Sequence, residues 1–139
     1  MPMKKKDIEK LLMKANVAVV AVTAPDGAPH AVPTWYEFDK GEIVFHTGPE
    51  SFKYKCLVRD PRITLVVDTK DAPYKCVVLK GRVAMEEKID DKRIERMSID
   101  YLGKKDGKRY ARSMSGQKTI VVRFKPERTI SWDYGEEAP

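Results

Sequence analysis

Four side chains close together in the sequence, Thr47, Ser51, Lys53 and Lys55, have the chemistry to hold an anion. Thr47 ends a β-rich run, Gly48-Pro49 breaks it, and Ser51 then stands at a helix N-cap position, where its hydroxyl accepts a backbone N–H. Unpaired N–H groups at a helix start, two hydroxyls and two ammonium groups suit a phosphate ester. Positions 53 and 55 lie ~200° apart on a regular helix, so both lysines reach one point only through their long stems. The same residues also fit a short surface helix with solvated lysines.

The 139 residues make one expected domain, 1–139, long enough to bury about two-thirds of the surface its unfolded form exposes. The net charge of +6 favours an anionic partner: nucleic acid, an acidic lipid surface or a phosphorylated small molecule. The longest apolar run, 17–22, is far too short to span a membrane, and a soluble, cytoplasmic protein is expected. Cys56 and Cys76 lack CxxC spacing and the histidines are not clustered, so no metal site is expected and both cysteines read as free thiols. His30 and His46 have no local Asp, Ser or Cys arrangement, and each reads as a partly buried polar residue. No catalytic residue can be named from spacing.

The elements that must position these groups are mostly strands. Residues 7–15 carry Ile8, Leu11, Leu12 and Ala15 at helical spacing. Residues 17–23 read as a strand buried on both faces, and Ala24-Pro25-Asp26-Gly27 as a turn. A second strand runs over 28–39, and Pro33 places it at a sheet edge or a bulge. Strands follow at 43–47, 62–68 and 73–86, the last with a bend at Gly81. A helix begins near 90 and ends at Gly103; 104–115 reads as a mobile polar excursion; strands 118–124 and 129–134 close the chain. The expected architecture is mainly β with α (α+β), a meander of antiparallel strands forming a barrel.

Several local strings, in this order, resemble the flavin/deazaflavin oxidoreductases of the pyridoxamine 5′-phosphate oxidase-like superfamily. They are residues 24–35, Phe45-His46-Thr47 with Ser51-Phe52-Lys53-Tyr54-Lys55, Arg59-Asp60-Pro61-Arg62-Ile63, Gly81-Arg82-Val83 and Ser131-Trp132-Asp133-Tyr134. The resemblance covers roughly 8–134 and is nearest to the branch using the deazaflavin F420. It implies a six- to seven-stranded antiparallel split β-barrel (the FMN-binding split barrel) with flanking helices, forming a homodimer with the cofactor at the interface. It further implies that the phosphate of F420, or alternatively FMN, lies against Thr47, Ser51, Lys53 and Lys55, with Val32, Pro33, Thr34 and Trp35 lining the ring system. Tyr74 and Lys75 would lie near that groove, and the cations among residues 104–112 could reach the acidic tail of F420. Where the family commonly has Asn after the Lys55 position, this chain has Cys56.

The function implied is an F420- or FMN-dependent oxidoreductase transferring a hydride between the (deaza)flavin and a small organic substrate. The alternative is a non-catalytic protein binding flavin, F420, haem or another tetrapyrrole. In either case the cofactor supplies the reactivity and the chain supplies placement and water exclusion. Nucleic-acid binding is disfavoured, because the chain lacks the interleaved exposed aromatics and clustered basic strand residues of an oligonucleotide-binding barrel.

Overall fold

The computed structural model describes residues 1–135; the last four of the expected 1–139 domain lie outside it. The chain forms α1 (Lys5–Leu12), β1 (Ala18–Thr23), β2 (Pro29–Thr34), β3 (Glu37–Asp39), β4 (Glu42–Thr47), α2 (Phe52–Arg59) and β5 (Arg62–Asp68). It continues through β6 (Lys75–Arg82), β7 (Ala84–Ile89), α3 (Asp91–Leu102), α4 (Lys104–Ser113), β8 (Lys118–Phe124) and β9 (Arg128–Asp133). All strand pairs are antiparallel, in a five-stranded sheet ordered β2-β1-β5-β6-β9 and a four-stranded sheet ordered β3-β4-β8-β7. This is the expected α+β split barrel.

Nine strands appear where six or seven were expected because two expected strands each change sheets midway. The 28–39 run becomes β2 and β3, divided at Trp35 and Tyr36. Tyr36 is drawn into the core, 3 % exposed; its hydroxyl donates to Leu12 O at 2.8 Å and its N–H donates to the Tyr101 hydroxyl at 3.1 Å. The 73–86 run becomes β6 and β7, divided at Val83, whose N–H donates to Pro61 O at 3.0 Å. These crossings replace the simple meander, so that β1 pairs with β5 and β4 with β8. At Gly81 the strand passes close beneath a neighbour: a Cβ there would lie 3.0 Å from both Lys125 O and the Phe124 ring.

Alternation along the strands turns Val20, Val22, Phe45, Leu65, Val67, Leu79, Ile120 and Val122 into one core between the sheets. α1 adds Leu11 and Leu12, and α2 adds Cys56 and Leu57. Cys56 is 1 % exposed and Cys76 half-buried, and both are free thiols. Residues 104–115 are not a loop but largely α4, which turns back on α3 at Gly103, where φ is 87°. Gly107 lets the two helices touch, since a Cβ there would fall 2.5 Å from the Ile99 backbone. Among the described residues, no helix is long and apolar enough to cross a membrane.

The edges of the five-stranded sheet are both occupied or blunted. β2 is one edge, one of the two placements open to Pro33, and it carries Pro29 as well. Beside β9, the opposite edge, the N-terminal residues are tied down: Met3 N–H donates to Ser131 Oγ at 2.8 Å and Asp133 N–H donates to Met1 O at 2.7 Å.

The outer faces of the two sheets differ. On the four-stranded sheet Val44 and Val121 point outward yet are buried, because α3 and α4 bring Ile94, Met97 and Ala111 over that face. On the five-stranded sheet the cross-strand partners Pro33, Val19, Val66, Val78 and Ile130 form an apolar row with nothing above it among the described residues. Val19 is 44 % and Ile130 41 % exposed, so the expectation that β1 is buried on both faces fails for the single chain.

Candidate functional site

Ser51 is the N-cap of α2, as its place after Gly48-Pro49 required: its Oγ accepts the Tyr54 N–H at 3.1 Å. The same oxygen lies 2.7 Å from Thr47 Oγ1 at the end of β4. One of the two hydroxyl protons is consumed in that mutual contact, so one remains to donate outward whichever residue is the donor. Lys53 is half-buried and makes no ion pair among the described residues; its Nζ lies 5.4 Å from the centroid of the buried Phe45 ring. Burial lowers the Lys53 pKa, because the ammonium has lost water without gaining a carboxylate. Lys55 is exposed on another side of α2, as the helical angle between the two positions demands. Cys56 points into the core, so the change from the family's Asn takes no group away from this seat.

A cavity of about 530 Å³ opens on the far side of β4, between that strand, the β2–β3 crossing and the α3–α4 pair. Its size is that of a small-molecule site, typically ~300–1,000 Å³. It is lined by Pro33, Thr34 and Trp35, residues the resemblance sets against a ring system, together with His46, Met97 and Tyr110. Trp35 is held by aromatic contacts: it stacks on Tyr101 at 5.0 Å and 12°, and Tyr110 meets its edge at 5.5 Å. The Tyr101 hydroxyl, donating to Asn16 O at 2.8 Å, fixes the lower ring of that stack.

His46, expected to be a partly buried polar residue, has a specific partner in the structure. Its Nε2 lies 2.8 Å from Asp90 Oδ2, with the two side chains 12 % and 13 % exposed. Arg93 Nη1 lies 3.7 Å from the same oxygen, Arg93 Nε 3.4 Å from Glu37, and Glu37 takes two hydrogen bonds from Arg96 at 2.6 and 2.7 Å. Burial lowers the His46 pKa, opposed by the hydrogen bond to Asp90. No local spacing could have found this pair, because 44 positions separate its members.

Two expected site residues stand apart from the cavity. Val32 turns its side chain toward the barrel core, leaving only its backbone at the sheet edge. Tyr74 precedes β6, three strand spacings or ~14 Å across the sheet from β2, and its carbonyl accepts the Tyr134 N–H at 2.9 Å. Thr47 and His46, adjacent in sequence, face opposite sides of β4. The anion seat and the cavity therefore flank the end of one strand.

Solved structures share this fold. A conserved hypothetical protein from Mycobacterium tuberculosis is 26 % identical with a TM-score of 0.75, over 94 % of this chain and 85 % of that one. A structure named F420 reductase is 19 % identical with a TM-score of 0.69, over 87 % and 94 % of the two chains. A FAD-binding protein from Mesorhizobium loti is 19 % identical with a TM-score of 0.68, over 94 % and 95 %. No curated protein matches the sequence. The family model described as pyridoxamine 5′-phosphate oxidase matches residues 5–133, a span that takes in both sheets, the anion seat and the cavity. On that match and this fold, the chain belongs to the pyridoxamine 5′-phosphate oxidase family.

Proposed function

We propose that this protein is an F420- or FMN-dependent oxidoreductase acting on a small organic substrate. The carrying observation is Lys53: a half-buried ammonium with no counter-ion among the described residues, beside a helix N-terminus and a hydroxyl pair with one proton to give. A phosphate at that seat would restore the charge balance that burial removed. The family and the names of two matched structures, F420 reductase and FAD-binding protein, support a flavin-type group as the bearer of that phosphate.

Such a group supplies hydride transfer when bound. The chain's own part is placement: Lys53, Thr47 and Ser51 hold the phosphate, while Pro33, Thr34 and Trp35 flank the ring at the cavity. Tyr101 and Tyr110 fix Trp35, and the apolar walls exclude water. We assign the bare apolar row on the five-stranded sheet to a second copy of this chain. Two-fold pairing is the commonest way to cover such a face.

Titration of FMN, F420 and riboflavin into the wild type and Lys53→Ala tests the seat. Lys53→Ala should weaken FMN and F420 by ~1.5–3 kcal/mol, the worth of a hydrogen bond to a charged group. Ser51→Ala should cost ~1 kcal/mol, since the backbone N–H groups remain. Riboflavin, without a phosphate, should bind both proteins equally weakly. Equal FMN and F420 affinity in wild type and Lys53→Ala would remove the seat from the reading.

A further inference from the structure

The His46–Asp90 pair has a direction. An ionised carboxylate only accepts hydrogen bonds, so the proton between Asp90 Oδ2 and His46 Nε2 belongs to the imidazole. In the neutral ring that leaves Nδ1 as a lone-pair acceptor. Nδ1 makes no hydrogen bond among the described residues and is not sealed from solvent, and His46 lines the 530 Å³ cavity beside Trp35, Tyr110 and Met97. An apolar, aromatic-walled space thus contains an oriented base with one free lone pair.

We propose that His46 is a catalytic residue, accepting at Nδ1 the proton of a planar, apolar alcohol bound in this cavity, and that Asp90 is its positioning residue. The assignment rests on the oxidoreductase reading above. In the oxidation direction the substrate C–H bond breaks, with its electron pair leaving as hydride to the oxidised flavin-type cofactor. The O–H bond breaks as its proton passes to Nδ1, and the electrons it leaves form the C=O π bond. The alcohol is oxidised to a carbonyl, the cofactor is reduced, and the imidazolium returns its proton to solvent. The reverse direction runs through the same atoms.

The charges around His46 match this use. Asp90, at 2.8 Å, stabilises the imidazolium once it forms. Arg93, paired with both Asp90 and Glu37, opposes protonation of the resting ring. Burial is the main influence holding the resting residue as a neutral base; Arg93 adds to it, against the opposing pull of Asp90 and Glu37. Asp90 also fixes the tautomer, without which the proton would sit at either nitrogen.

The test needs no cofactor, so its failure and that of the phosphate seat are separable. We would use 2-chloro-4-nitrophenol, a planar O–H donor more acidic than an ordinary imidazolium and with an ionisation visible in its absorbance, and follow its binding by tryptophan fluorescence. In the wild type, bound 2-chloro-4-nitrophenol should give its proton to His46 and ionise at lower pH than in His46→Gln, with about a tenfold larger ionised fraction at a fixed pH. Asp90→Asn should bind the probe equally well, lose most of that gain, and show a mixture of His46 tautomers in its imidazole ¹⁵N spectrum. A bound probe ionising alike in wild type and His46→Gln would overturn the proposal, as would a resting tautomer with the proton on Nδ1. Failure of 2-chloro-4-nitrophenol to enter the cavity would overturn it too. If FMN and F420 fail to bind while these results stand, the cofactor reading falls and the base remains.

Discussion

The two sheets enclose one core and turn contrasting outer faces to their surroundings. On the four-stranded sheet, β4 and β8 point Val44 and Val121 outward into cover provided by α3 and α4, and the cavity with His46 opens where that cover stops. On the five-stranded sheet, an apolar residue from each strand stands in a row that nothing covers among the described residues. The α3–α4 hairpin covers one sheet only, and the other sheet's bare face is the one we propose a second copy covers.

Breaking the contrast at the bare row should have the largest effect. Val19→Asp places a charge where the second copy would sit, and the dimer should weaken by ~4 kcal/mol, about a thousandfold in Kd. Sedimentation measures this, and the monomer's own stability should change by less than ~0.5 kcal/mol, as expected for an exposed position. A protein that is monomeric before the substitution would end the assignment of this face.

The covered face should answer in the opposite way. Met97, on the buried face of α3 and 5 % exposed, should cost ~2–4 kcal/mol of unfolding free energy on truncation to Ala, read by urea denaturation. Equal losses from Met97→Ala and Val19→Ala would mean that the two faces are not distinct.

A smaller effect follows from pH. The folded state holds the His46 pKa below its ordinary value of ~6.5, so below that pH the unfolded chain binds a proton that the folded chain resists. Stability should therefore fall as pH drops below ~6.5, and His46→Gln should flatten the curve in urea melts between pH 5 and 8. The bare face carries no histidine and should add nothing, since His30 lies on the inward side of β2 beside Phe52.

The smallest effect belongs to the far end of the bare sheet, where register sets Arg62 opposite Arg82 and Lys80 opposite Arg128. Arg128→Glu should stabilise the chain by ~0.5 kcal/mol by exchanging a like-charged cross-strand pair for an opposite one. Unchanged thermal stability would show that solvent already screens the repulsion.

Much of this could be read locally. The Gly48-Pro49 break gave away the Ser51 cap, Pro33 gave away the edge, and β8 occupies 118–124 as its pattern required. What escaped depended on partners distant in sequence. The step at Trp35–Tyr36 follows from Tyr101, 65 positions later, whose hydroxyl captures the Tyr36 N–H. α4 looked like a loop because its charges and Gly107 mask a stripe of Gly107, Tyr110, Ala111 and Met114 at helical spacing. Gly107 is the contact that lets α4 lie against α3. β1 shows a further kind of miss: its pattern calls for burial on both sides, and a single chain supplies only one.

The closed edges of the five-stranded sheet set how a second copy could arrive. Pro29 and Pro33 leave the free side of β2 short of donors, and Met1 and Met3 occupy the backbone and Ser131 beside β9. Strand addition that would merge two copies into one continuous ten-stranded sheet is thereby discouraged at both ends. The remaining approach is flat on, sheet stacked over sheet at ~10 Å with side chains interleaved, the spacing of a sandwich. Such an arrangement is finite. It ends at two copies, and a chain with a long apolar face can remain a discrete particle instead of growing into a fibre.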